Sequence, residues 1–284
     1  MSLNTEFELD TEISGGFLGD LGPPIRRYPY KGTKQLLETV KMELSRQKEG
    51  LEASEWVLFT NVDKETFGRD FLNSEEGSFL ERCWNSYDSS QHLVLVKLTA
   101  SRPHHVAAQS FHLLFHNCLR PMGLQYSIRS FGSATCTAEN GSSKQPDCQF
   151  LPKELPRDRT KQWPSVVVEI GFSESPSKLR SDARFWLCES NGDVQSVITI
   201  TIGRTSPNIV LEEWQLVNNK VKRQQVTTIK RGEHNNIDVQ GDPFIISFDK
   251  LFLRGPNIPR ETDINLDNAM LTTLAWDVWD EQEF

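Results

Sequence analysis

The chain reads as an α/β protein with a mixed central sheet flanked by helices. Two apolar runs, Leu93 to Val96 and Val166 to Ile170, have the length and composition of strands buried on both faces. Two longer segments, Ser101 to Leu119 and Ser177 to Cys188, place apolar residues at helical spacing. Their order, strand then helix, several strands, helix and more strands, is that of a layered α/β protein.

With 284 residues, 37% of them hydrophobic and 25% charged, the chain can form one large domain, or one domain plus an accessory segment. A net charge of -8 argues against a protein that coats nucleic acid non-specifically, because that binding depends on many Lys and Arg neutralising phosphates. A local basic groove stays compatible with it. Met1 to Asp20 has no apolar leader, and no apolar run approaches the roughly 20 residues that span a bilayer. The expectation is an intracellular protein, cytoplasmic or nuclear, without a membrane partner. The five cysteines are odd in number and form no C-x-x-C, which indicates free thiols rather than disulfides or zinc ligands.

Taken in order, residues 1–32 are rich in Gly, Pro and acids (Gly15-Gly16, Pro23-Pro24) and read as a flexible arm. Residues 33–90 read as a helical accessory segment. Leu36, Leu37, Val40 and Leu44 form a helical stripe ended by Gly50, Trp56 to Thr60 is a short strand, and two short helices carry Phe67, Phe71, Phe79 and Leu80. The core is expected over 91–256. Ser101 and Pro103 open its first helix as N-cap and early proline, and Pro121 and Gly123 stop it. Gln125 to Phe131 and Ser133 to Thr137 read as short strands, and Glu139 to Ser143 as a turn directly before Asp147. A Pro- and Arg-rich connection, Pro152 to Lys161, leads to the Val166 strand. After the second helix, Val194 to Ile202, Ile209 to Leu216 and Phe244 to Ile246 supply further strands. Residues 257–284 form an acidic tail with Leu271, Leu274, Trp276 and Trp279, read as a helix packed on the core.

One residue in this pattern is costly. Glu169 sits inside Val166-Val167-Val168-Glu169-Ile170, where a carboxylate needs a partner. Asp147, about twenty residues upstream, can lie on or beside an adjacent strand. Two such acids can share a hard divalent ion, which offsets their desolvation and can generate a hydroxide nucleophile for phosphodiester attack.

Here the sequence resembles the PD-(D/E)XK nuclease-like superfamily. The resemblance is carried by Lys144-Gln145-Pro146-Asp147, by Trp163-Pro164-Ser165-Val166-Val167-Val168-Glu169-Ile170-Gly171-Phe172-Ser173-Glu174-Ser175, and by Asp182-Ala183-Arg184-Phe185-Trp186-Leu187. These blocks are similar to a bacterial restriction-endonuclease family, and more so to uncharacterised fungal proteins with a W-P-x-V-V-V-E-V-G-x-S-E-S motif. The resemblance implies a restriction-endonuclease-like fold and Mg2+- or Mn2+-dependent hydrolysis of DNA. Asp147 and Glu169 would be the metal ligands. It also implies a catalytic lysine two residues after the second acid, a position occupied here by Gly171. Lys178, Arg180 or Arg184 on the next helix, or Lys144, would have to supply that cation. Lys178 is taken as its catalytic replacement, with Lys144, Arg180 and Arg184 as substrate-binding residues. On the first core helix, where related sequences often place a Glu after a His, this chain has His104-His105-Val106.

Each residue also has a structural reading. Asp147 can cap the turn after Asn140-Gly141, and Glu169 can pair with an Arg or with the Ser173 and Ser175 hydroxyls. Lys178, Arg180 and Arg184 can form a solvated helix face. His104 and His105 can be surface or capping residues. Lys220 to Arg231 reads as the exposed edge of a hairpin, and Trp163, Trp186 and Trp214 as core aromatics. The functional alternative to a nuclease is therefore a catalytically degraded nuclease fold kept as a binding or protein-interaction module. A third reading is a homo-oligomer assembled through the Trp-rich tail.

Overall fold

A computed structural model of the chain describes residues 8–9, 16–19, 21, 25–49, 54–73, 80, 83–98, 101–172, 176–232, 236–241 and 243–284. Gly15, Pro23, Pro24, Gly50, Phe79 and the Ser173 to Ser175 end of the tryptophan-led block lie outside them. The chain divides into two units. One comprises Met1–Thr11, Ser101–Ala134 and Pro146–Phe284, the other Glu12–Ala100 and Thr135–Gln145.

Along the chain the elements are β1 (Glu8–Leu9), β2 (Arg26–Pro29), α1 (Thr33–Lys48), β3 (Trp56–Thr60), α2 (Lys64–Phe67), β4 (Trp84–Asp88), β5 (Leu93–Lys97) and α3 (Arg102–Leu119). They continue with β6 (Ile128–Ser130), β7 (Cys136–Thr137), β8 (Ser143–Lys144), β9 (Cys148–Pro152), β10 (Val166–Phe172), α4 (Pro176–Glu189) and β11 (Ser196–Ile202). Last come β12 (Asn208–Val217), β13 (Lys220–Arg231), β14 (Ile237–Gln240), β15 (Phe244–Ile246), α5 (Phe248–Phe252), β16 (Ile264–Leu266) and α6 (Asn268–Glu281).

The smaller unit is a six-stranded sheet in the order β2-β3-β5-β4-β8-β7, parallel only between β2 and β3. Its core joins Leu36 and Val40 of α1 to Val57, Phe59, Val94, Val96, Phe67 and Phe71. This assignment differs from the sequence reading at two places. The strand at Leu93 was expected at the start of the core, and it lies at the centre of the smaller sheet. The segment carrying Lys144 returns to this sheet as β8, pairing Lys144 with Ser86. Pairing across some sixty residues leaves no periodic trace in a sequence.

The larger unit holds the eight-stranded sheet β1-β13-β12-β11-β10-β9-β6, with β14 also on β13. Strands β10 and β11 run parallel, Val166 opposite Ser196 through Phe172 opposite Ile202, and α4 is the helical crossover between them. The remaining pairs are antiparallel, so the sheet is mixed and flanked by helices. The two residues of the hairpin turn between β12 and β13, Asn218 and Asn219, both adopt positive φ, the backbone that a two-residue hairpin loop requires and that Asn tolerates. The Lys220 to Arg231 strand is not an edge, as the sequence suggested, because β1 and β14 both pair along its outer side.

Alternation along β10 sorts its side chains. Val166, Val168 and Ile170 join Ala107, Phe111 and Phe115 of α3 in one core, while Val167, Glu169 and Gly171 take the opposite parity. Each fully buried aliphatic residue of this strand contributes about 1.5–3 kcal/mol. Helix α3 begins as predicted, with the Ser101 hydroxyl accepting from the His104 amide. The acidic tail folds as α6, capped by Asp267 and packed on α3 through Leu271, Leu274, Ala275, Val278 and Trp279.

Candidate active site

The two acids are neighbours because of strand register. Cys148 pairs with Val168 across the antiparallel β9–β10 ladder, which brings Asp147 beside Glu169. Asp147 is held from two sides: its Oδ2 accepts from the Ile170 amide at 2.7 Å, and its Oδ1 lies 3.1 Å from His104 Nε2. The amide it accepts from lies on β10 and not in the Asn140-Gly141 turn.

Glu169 is fully buried, and its Oε1 accepts from the Trp186 indole at 2.6 Å. Trp186, itself fully buried, makes edge-on contact with Trp163 and Phe185. It is a core aromatic, as the sequence suggested, and it also tethers a site carboxylate. The indole supplies a fixed hydrogen bond to a charge that would otherwise be expensive.

Lys178 departs from the solvated-face reading. It is buried, and its ammonium lies 2.7 Å from Asp182 Oδ2, one helical turn along α4. Burial, the largest single influence, opposes its charge. The carboxylates of Asp182, Glu169 and Asp147 outweigh it, so the lysine pKa stands above its ordinary value. The same two site acids act on the buried Cys148 thiol, pushed up to about 12 by burial first and by Asp147 and Glu169 second. Asp147, Glu169 and Lys178 thus share one electrostatic field.

Gly171 faces a close neighbour on α4. A Cβ at Gly171 would lie 2.8 Å from Leu179 Cδ1 and 3.1 Å from Leu179 Cγ. A side chain at 171 would therefore meet Leu179, the residue that follows Lys178 on α4.

Sequence reasoning passed over Asp182 and gave Trp186 no role at Glu169. The signal was present, because Lys178, Asp182 and Trp186 recur at i, i+4 and i+8 and so lie along one face of α4. Asp182 holds Lys178, and Trp186 holds Glu169. His104 was read as a surface or capping residue and is instead a buried partner of Asp147.

The other predicted residues sit differently. Arg180 and Arg184 are half-buried on α4. Lys144 belongs to the smaller unit and is fully buried, with its ammonium donating to Asn85 Oδ1 at 3.0 Å and Ser86 Oγ at 3.1 Å. A lysine so placed ties β8 to β4 and does not present its charge to solvent.

The donor chemistry of Asp147 and Glu169 suits a hard cation. Both are carboxylates, and each oxygen that is engaged by a single donor keeps lone-pair capacity. Mg2+ commonly binds through one or two carboxylates and keeps several waters. Among the described residues, no group of three or more His, Cys, Asp or Glu converges as a ready-made metal cage. Also among the described residues, no helix is long and apolar enough to cross a membrane.

Four solved chains match this one. Among them is the crystal structure of "a putative nuclease belonging to DUF820" from Anabaena variabilis, 15% identical, covering 70% of this chain and 90% of that chain, with a TM-score of 0.37. No family model matches the chain, and no curated protein matches it.

Proposed function

We propose that the chain is a metal-dependent nuclease of the PD-(D/E)XK, restriction-endonuclease-like type, hydrolysing phosphodiester bonds of DNA. The observation that carries this reading is the position of Lys178. Its ammonium lies in the field of both Asp147 and Glu169, on the helix that follows the second acid, while a side chain at 171 would meet Leu179. Charge sign and number match the acid-acid-lysine set of the motif, although the lysine comes from a different element.

In this reading Asp147 and Glu169 hold Mg2+ or Mn2+, which when bound supplies a hydroxide nucleophile and neutralises charge on the phosphate. Asp147 is kept in place by the Ile170 amide and His104, and Glu169 by Trp186. Lys178 stays protonated and offers positive charge to the developing phosphorane oxygens, with Asp182 orienting it. Arg180 and Arg184, on the same helix, are available to the DNA backbone.

The test is cleavage of single- and double-stranded DNA with Mg2+ or Mn2+. Wild-type protein cuts, while Asp147→Asn and Lys178→Met fall to background. A second reading rests on the full burial of Glu169 and its bond to Trp186. Under it the same residues form a closed polar network in a catalytically degraded module. That reading expects no metal-dependent cleavage and a tolerated Glu169→Gln.

A further inference from the structure

We propose that His112 and His116 of α3 form a second metal site, a two-imidazole chelate for a borderline transition ion such as Zn2+, Ni2+ or Cu2+. The site uses none of the residues assigned to phosphodiester hydrolysis. The two histidines are one helical turn apart, the spacing by which a helix presents two imidazoles to a single ion. Their ring centroids lie 4.5 Å apart at an interplanar angle of 50°. Metal–imidazole bonds are about 2.0–2.1 Å long, so one ion can reach a nitrogen of each ring.

The surroundings of His116 add a second observation. Its Nε2 is buried and makes no hydrogen bond, so this ring nitrogen has no polar partner within the fold. A buried ring nitrogen without a hydrogen-bond partner is an exception among native polar groups, and a bound ion would satisfy it. Gln125 also contributes a buried side-chain oxygen, Oε1, with no hydrogen-bond partner. Aromatic neighbours fix both rings: Phe150 stacks on His112 at 5.8 Å and 18°, and Phe115 meets His116 edge-on at 5.6 Å. Burial lowers the pKa of both imidazoles, and for His112 the neighbouring ring adds to it. A lowered pKa favours the neutral imidazole, the form that ligates a metal. Nitrogen donors of this kind favour Zn2+, Ni2+ and Cu2+ over Mg2+.

The test is calorimetric titration of the metal-stripped full chain with Ni2+ at pH 7.5. With the carboxylate site disabled by Asp147→Asn, one saturable equivalent is expected, weakened at least tenfold by adding His112→Gln or His116→Gln. No saturable binding, or binding that survives both histidine substitutions, overturns the proposal. Should a variant misfold, Cu2+-loaded wild-type protein decides by electron paramagnetic resonance. Two equatorial imidazole nitrogens are expected, and one or none refutes the site.

Discussion

Replacing Asp182 by Asn removes one charge from the Lys178–Asp182 pair and keeps its shape. The pair is 2.7 Å apart, with side chains only 7% and 1% exposed, so solvent cannot take over the role of the lost carboxylate. Removing one partner of such a buried pair costs about 3–5 kcal/mol. Glu169 and Asp147 still act on Lys178, which points to the lower end, about 3 kcal/mol. Equilibrium urea unfolding followed by tryptophan fluorescence measures the loss as a lower midpoint at unchanged slope. Adding Lys178→Met to Asp182→Asn should restore part of the stability, because the stranded ammonium is gone. The reasoning is refuted if Asp182→Asn changes stability by less than about 0.5 kcal/mol, the range of ordinary surface substitutions, or if the double variant is less stable than the single one.

Gly171→Ala should destabilise by about 1–3 kcal/mol through overpacking against Leu179; Leu179→Ala in the same chain should make the cost less than additive in a double-mutant cycle. Glu213 is buried, and burial raises its pKa despite hydrogen bonds from Gln215 and Ser196. A raised folded-state value stabilises below the unfolded pKa and loses that contribution as pH rises through the folded one. Glu213→Gln should therefore raise the melting temperature at pH 7, with no gain at pH 4. Glu261 behaves oppositely: its bidentate partner Arg254 holds it at about 2. Its contribution is present above about 4.5 and lost as pH falls towards 2. Because Arg254 is 39% exposed, solvent screening limits the cost of Glu261→Gln at neutral pH to about 1 kcal/mol, and thermal melts across pH 2–7 should show the difference closing in acid.

The parts of this protein that were readable in advance are those governed by local pattern. The Ser101 cap, the helical stripe of α3, the β-branched run of β10 and the helix of the acidic tail all follow from spacing and burial. Glu169 stood out because a charge in such a run demands a partner. The identity of that partner, the Trp186 indole on α4, was not readable, since it is set by three-dimensional packing, as is the Ile170 amide that donates to Asp147. The membership of β5 and β8 in the smaller sheet was hidden for the same reason. Gly171 looked like a loss of function in the sequence, and in the structure a side chain there would meet Leu179. His104, ordinary at a helix start, gained its meaning only from the 3.1 Å approach to Asp147.

The measurement that bears most directly on the carboxylate site is calorimetric titration with Mg2+ of wild-type protein, Asp147→Asn and His116→Gln. The account predicts saturable binding to wild type and to His116→Gln, and its loss in Asp147→Asn. No heat of binding to the wild-type chain, or binding that persists without the Asp147 carboxylate, would contradict it.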